Sequence, residues 1–216
     1  MVKYHDVKQN DELWFELRAK MYMTSSQVGK VMANFSKAFG EPAKKYAVTI
    51  ATQLLTGKAI MGGFTNSHME RGHEQEPLAI AEYERQYFCT VDNGGFVENG
   101  LYGDSPDGLI DDDGVAEVKS VIASVHYANM IRKAADPAYK WQYVWHLYVT
   151  GRKWVDFISY CPEFPRDKVL FVHRMHRAEF TEQFKMLDIR MKEFIGLVDS
   201  IKDNITNGDY YIDGVA

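Results

Sequence analysis

One short segment gathers the residue types that hydrolysis of a phosphate ester needs. It reads Gly103-Asp104-Ser105-Pro106-Asp107-Gly108-Leu109, and Val115-Ala116-Glu117-Val118-Lys119 follows it. Asp107 falls in a turn after a strand-like stretch. Glu117 and Lys119 stand two apart on the next strand and so point to one face. A hairpin through residues 111–114 brings that face up beside Asp107, and two carboxylates then converge with a lysine. Carboxylate oxygens suit a hard divalent cation, which makes Asp107 and Glu117 candidate ligands, with the Val118 backbone carbonyl as a third. Lys119 stands where it orients or deprotonates an attacking water and steadies charge growing on a phosphate. The same spacing also fits a purely structural role, with Asp107 as a turn residue and Glu117 and Lys119 as a surface pair.

The charge distribution agrees with the metal reading. The chain carries a formal net charge of −5, which taken alone argues against a nucleic-acid partner. Residues 1–60 hold 9 Lys/Arg against 5 Asp/Glu, residues 61–120 hold 3 against 13, and residues 121–216 hold 13 against 12. An acidic middle beside basic flanks suits a metal site served by phosphate-binding neighbours. A solvated acidic face is the alternative.

The elements that must position these residues read as follows. Asn10 or Asp11 caps a short helix with Leu13, Trp14 and Leu17 on one face. Thr24-Ser25-Ser26-Gln27 is a capping-box pattern that opens a second helix. A third helix runs from Pro42 to near Gly57, and a fourth from Asn66 to about Gln86. The period then changes, with strands expected at 87–91, 96–98, 101–104 and 115–121 and a turn at 92–95. Helices return at 123–134 and 138–150, followed by strands at 154–160 and 169–175 and a long amphipathic helix over 178–205. This order predicts one α/β domain with a central mixed sheet flanked by helices.

Several function classes fail on their spacing. Asp111-Asp112-Asp113-Gly114 hints at a calcium loop, but the twelve-residue frame puts Leu109 first and Ser120 last, where acids are required. There is no Gly-x-x-x-x-Gly-Lys-[Ser/Thr], hence no encoded ATP-driven unwinding. The two cysteines, Cys89 and Cys161, are too few for an iron–sulfur cluster and read as reduced, buried thiols. No secretory signal and no membrane-spanning stretch is legible.

Pro106-Asp107, a spacer, then Glu117-Val118-Lys119 resembles the signature of the PD-(D/E)XK nuclease superfamily. That resemblance implies a restriction-endonuclease-like core and a single nuclease domain over residues 1–216. A narrower resemblance covers roughly residues 13–150. Leu13-Trp14-Phe15-Glu16-Leu17-Arg18 and Met23-Thr24-Ser25-Ser26-Gln27-Val28 resemble the opening of the lambda exonuclease, or YqaJ-type viral recombinase, family. Arg71-Gly72-His73-Glu74-Gln75-Glu76-Pro77 is similar to its Gly-x-x-x-Glu helix, and Ser105-Pro106-Asp107-Gly108 to its strand end. Trp141-Gln142-Tyr143-Val144-Trp145 resembles its later Gln-x-Gln helix, with only the first glutamine present.

The family resemblance implies further roles. Glu76 joins Asp107, Glu117 and the Val118 carbonyl as a metal ligand, with Gln142 near the site. Arg18 and Ser26 bind a phosphate, Ser26 at a helix start whose free N–H groups attract anions. Arg18 has the alternative of an ion pair with Glu16 or Asp11, and Ser26, Glu76 and Gln142 have ordinary structural alternatives. The implied cofactors are two Mg2+ ions, with Mn2+ as a substitute. The implied activity is exonucleolytic digestion of linear double-stranded DNA, 5′→3′, leaving 3′ single-stranded tails for homologous recombination. The implied setting is a homotrimeric ring on DNA ends, working with a single-strand annealing protein and without a membrane. A phage- or prophage-encoded protein in a bacterial cytoplasm is implied as well. An endonuclease of the same fold and a non-catalytic DNA-end-binding module are the competing readings.

Overall fold

Alternating burial and tight turns build the sheet that carries the motif. The computed structural model describes residues 1–60 and 67–208. In chain order the strands are β1 (Val2–His5), β2 (Val91–Asn93), β3 (Phe96–Asn99), β4 (Tyr102–Asp104), β5 (Gly108–Ile110), β6 (Gly114–Ser120), β7 (Trp154–Tyr160) and β8 (Leu170–His176). The helices are α1 (Glu12–Arg18), α2 (Ser25–Met32), α3 (Glu41–Thr56), α4 (Ser67–Tyr87), α5 (Ala123–Arg132), α6 (Lys140–Thr150) and α7 (Thr181–Asn207). A five-stranded sheet runs β2-β5-β6-β7-β8, and a three-stranded one runs β1-β3-β4. In the larger sheet β6 and β7 are parallel and the other pairs antiparallel. This is the expected mixed sheet flanked by helices.

The pleat gives the two faces of the larger sheet different partners. Ala116 and Val118 of β6 and Ile158 and Tyr160 of β7 pack with Ala79 and Tyr83 of α4. Val115, Val155 and Phe157 face the other way, onto Tyr143 and Leu147 of α6. The largest cluster joins α2, α3, α6 and α7 through residues such as Val28, Ile50, Trp145 and Phe194. Each fully buried side chain of this kind contributes roughly 1.5–3 kcal/mol. Glu117, an odd-numbered residue of β6, therefore points toward α6.

Several local expectations need correction. The stretch 87–90 is not a strand, and of the expected 87–91 only Val91 is extended, as the first residue of β2. α4 continues to Tyr87, whose ring stacks on Tyr83 at 4.6 Å, and Phe88 ends the helix at φ 54°. The turn at 92–95 does not close a hairpin, because β2 and β3 belong to different sheets. A Cβ on Gly94 would stand 1.8 Å from the Pro106 carbonyl oxygen, so glycine permits the crossing. Thr24 is the N-cap of α2 but its side chain makes no capping hydrogen bond, so the capping box does not form. Leu13 is exposed, leaving Trp14 and Leu17 as the buried face of α1. Cys161 is buried and Cys89 only half-buried. The expected start of the fourth helix at Asn66 lies outside the described residues. The polar N-terminus forms β1, which pairs with β3 and carried no signal of its own. Among the described residues no helix is long and apolar enough to cross a membrane.

Candidate active site

Asp107 sits where the chain leaves one sheet for the other. β4 belongs to the small sheet and β5 to the large one, and residues 105–107 make the crossing. Three elements fix that loop. Trp14 Nε1 donates to Ser105 Oγ at 2.7 Å, Trp145 Nε1 to the Gly103 carbonyl at 3.0 Å, and Gln9 Nε2 to the Pro106 carbonyl at 3.3 Å. The hairpin β5–β6 pairs Gly108 with Ala116, and β6 runs on beyond its partner. The Val118 N–H, free of the β5 ladder, donates to Asp107 Oδ2 at 2.7 Å. Arg152 Nη1 closes the acidic turn by donating to the carbonyls of Asp111 and Gly114, each at 2.7 Å.

Glu117 and Lys119 share a face as the spacing predicts, and the Lys119 ammonium is ion-paired with Glu117 Oε1. Lys119 also lies 4.8 Å over the Tyr139 ring. Glu117 Oε2 accepts from His146 Nε2 at 2.8 Å, and His146 Nδ1 donates to both oxygens of Asp104, at 3.0 and 2.8 Å. Asp104, Glu117 and His146 are all 0% exposed. Neither Asp104 nor His146 was anticipated as a site residue. The available signals were a histidine one turn beyond Gln142 on an otherwise apolar helix and an acid in a strand facing the core.

The electrostatics follow from this arrangement. Burial alone raises a carboxyl pKa, but for Glu117 the Lys119 ammonium and the His146 imidazole outweigh it and hold the group at about 2. Burial lowers a histidine, yet the carboxylates of Asp104 and Glu117 carry His146 up to about 10. Lys119, despite its desolvation, is raised by Glu117 and Asp107. Asp107 has no cationic partner of its own among the described residues. Burial and then Glu117, with Glu76 further off, push its carboxyl well above the usual range, against the opposing pull of Lys119. Glu76 is raised by burial and by Glu117, with His73 and Lys119 acting against the shift.

Glu76 lies on α4 in the turn before Pro77, which removes one helical hydrogen bond there. Glu76 and Asp107 line one cleft with His73, Asn93 and the segment from Lys8 to Asp11. Among the described residues no group of three or more His, Cys, Asp or Glu side chains is arranged to hold a metal ion. The donor chemistry nonetheless fits a hard divalent cation. All the candidate side-chain donors are carboxylate oxygens, and their mutual repulsion at Asp107 is of the kind a cation relieves.

The remaining expected residues lie elsewhere. Gln142 is one turn before His146 on the same face of α6, and its side chain makes no hydrogen bond among the described residues. Arg18 forms no ion pair with Glu16 or Asp11. Asp11 instead caps α1 by accepting from the Trp14 N–H at 2.7 Å, and the Arg18 guanidinium stacks on the Trp14 ring at 5.0 Å. Burial lowers the Arg18 pKa, with Tyr46 acting against the shift. The guanidinium lines a cavity of about 640 Å3 with Gln27, Lys30, Lys45, Tyr46 and Gln53. Ser26 is exposed at the second position of α2, beside that cavity's Gln27. The Asp107 loop and this cavity are linked through α1, whose Trp14 touches both Arg18 and Ser105.

Comparison with known proteins adds three findings. Residues 13–153 match the YqaJ-like viral recombinase domain. The fold resembles the crystal structure of an alkaline exonuclease from Laribacter hongkongensis. The identity is 28%, the TM-score 0.75, and the match covers 91% of this chain and 98% of that one. The same enzyme solved in complex with dAMP gives the same values. A phage-related exonuclease from Haemophilus somnus 129PT shares the fold at 13% identity and a TM-score of 0.66, covering 88% of this chain and 97% of that one. No curated protein matches.

Proposed function

The chain belongs to the YqaJ-like viral recombinase domain family, and from that premise we propose that it is a divalent-metal-dependent exonuclease acting on the ends of linear double-stranded DNA. The observation that carries the metal-dependent part is the crowding at Asp107, a carboxylate pushed well above its usual range by burial and by two neighbouring glutamates. Asp107, Glu117, Glu76 and the Val118 carbonyl are the groups that would hold magnesium, as two ions, or manganese in its place. Magnesium bound there supplies charge neutralisation at the phosphate and a water acidified for attack. Lys119, released from Glu117, positions that water and balances charge on the phosphate. Gln142 stands one turn from His146 to help orient the substrate.

Arg18 anchors the terminal 5′-phosphate with a planar fork of donors. Arg18 makes no ion pair among the described residues, and it shares its cavity with Lys30 and Lys45 as well as Glu41, so that cations outnumber acids there. Ser26 adds a hydroxyl at the start of α2, where no side chain caps the helix. Anchoring the end sets the next phosphodiester against the carboxylates, which gives 5′→3′ digestion and leaves 3′ tails for recombination. A ring of three subunits threaded on DNA, working with a single-strand annealing protein, completes this reading in a phage or prophage setting.

The test compares linear with covalently closed circular duplex, with and without Mg2+. The expected result is digestion of the linear form alone, only with metal, and faster from 5′-phosphate than from 5′-hydroxyl ends. Cleavage of closed circles would mark an endonuclease, and no cleavage of either form a binding module. Arg18→Ala is expected to erase the end preference at a cost of about 1.5–3 kcal/mol, the worth of a hydrogen bond to a charged group.

A further inference from the structure

Glu117 is the third member of a chain of four charged side chains, Asp104–His146–Glu117–Lys119. Two of them stand outside the sequence motif. The terminal torsion of a glutamate is broad, so a strand position by itself leaves the carboxylate free to rotate. Here Oε2 is held by His146, a rigid ring that is itself held by both oxygens of Asp104. Among the described residues Oε1 is held by Lys119 alone, a four-carbon stem whose side chain is 21% exposed. One oxygen thus has a partner that stays fixed, and the other a partner that can leave.

The charges give this asymmetry a consequence. Both nitrogens of His146 face carboxylate oxygens, so both carry protons and the ring is cationic. Asp104 and Glu117 are then balanced by one imidazolium and one ammonium. When Lys119 swings away to a phosphate, the three groups left behind carry one uncompensated negative charge. A buried charge of that kind is costly, and a cation arriving at Oε1 restores the balance.

We propose that His146, backed by Asp104, is a positioning residue that clamps Oε2 of Glu117 and so keeps Oε1 available for a divalent cation in exchange for Lys119. This rests on the metal-dependent reading above. It assigns the ligand geometry of Glu117 to α6 and β4 rather than to the strand that carries it.

Two measurements test it. In metal-free protein labelled with 15N-histidine, the clamp predicts two far-downfield ring N–H proton signals from His146. A single such signal, or none, overturns it whatever the metal result. The second measurement is Mg2+ affinity by isothermal titration, paired with melting temperature in chelator. The double variant Asp104→Asn/His146→Leu removes the clamp without stranding a charge. It is expected to stay folded and to bind Mg2+ about 10–100-fold more weakly, the usual effect of losing a partner that orients a ligand. His146→Gln keeps one donor toward Glu117 and is expected to retain most of the affinity. A folded double variant that binds as tightly as wild type, or equal losses in both variants, overturns the clamp. Wild-type protein that binds no Mg2+ overturns the metal-dependent function together with the role given to Oε1, while the histidine signals still report whether the ring is held as described.

Discussion

Asp156 and Glu117 are buried carboxylates on adjacent parallel strands, one residue apart in register and pointing to opposite faces. Asp156 pairs with Ala116 across the sheet, and Glu117 with Phe157. On the α4 face, Asp156 Oδ2 accepts from Tyr83 OH at 2.6 Å, and Arg174 donates to both oxygens at 2.8 Å. Arg174 is itself pinned over the Trp154 ring at 3.5 Å. Both partners hold it by hydrogen bonds, Arg174 through two of them although its side chain is 42% exposed. On the α6 face, Glu117 is paired with His146 on one oxygen and Lys119 on the other, and Asp107 beside it is pushed upward by burial and then by the like charge of Glu117. Two equally buried carboxylates thus serve different ends. Asp156 ties α4, β7 and β8 together through Tyr83 and Arg174. Glu117, with Lys119 on one oxygen and a crowded Asp107 beside it, is the acid proposed above to take a cation.

Substitutions should separate the two. The largest effect is expected at Glu117→Gln and Asp107→Asn, each of which removes a charge from the crowded side. Each should slow DNA cleavage at saturating Mg2+ by about 10³-fold, the scale of losing a major transition-state charge term; melting in chelator is expected to be unchanged or to rise for Asp107→Asn, whose carboxyl is crowded, and to fall for Glu117→Gln, whose charge Lys119 and His146 stabilise. Added Mg2+ should raise the melting temperature of the wild type and not of these variants. Near-normal cleavage by either variant breaks the comparison on its functional side.

The reverse pattern is expected at Asp156→Ala. Breaking a buried pair by removing one partner costs about 3–5 kcal/mol. The lower end applies here, because Arg174 is 42% exposed and can rehydrate. Denaturant titration reads this loss, and cleavage by the folded protein at low temperature should stay within a few-fold of wild type. A stable variant that has lost its activity would show that this face also serves the chemistry.

Lys119→Met sharpens the distinction within the site. Single-turnover cleavage should slow strongly, whereas calorimetric Mg2+ affinity should be kept or improve, because a competitor for Glu117 Oε1 has gone. Joint loss of both would make Lys119 part of the metal site itself. The smallest effect belongs to Tyr83→Phe, which deletes one hydrogen bond to a charged acceptor and should cost about 1.5–3 kcal/mol of stability with cleavage intact.

These two faces also mark what was legible beforehand. The hairpin with Asp107, Glu117 and Lys119 was readable because its parts lie within thirteen residues and obey local rules. A turn follows its acidic, glycine-ending tetrapeptide, and alternation along β6 puts Glu117 and Lys119 on one side. The bounds of β7 were read correctly from its apolar run. The stretch 87–91 misled because Tyr87, Phe88 and Val91 are strand-forming types, yet the stacking of Tyr87 on Tyr83 carries the helix through. The cap expected at Thr24 was a local pattern that the packed chain does not use.

The sequence by itself determined the chemistry on offer, a set of hard oxygen donors with a lysine and a basic N-terminal third, because residue type and short spacing suffice for that. Tertiary structure decided which groups would meet. His146 reaches Glu117 across 29 positions and Asp104 across 42, and Tyr83 reaches Asp156 across 73. Contacts at such separations depend on how helices lie on a sheet, and no local periodicity records that. Only the packed fold makes Asp104 and His146 part of the same site as Asp107, and makes Asp156 a clamp rather than a ligand.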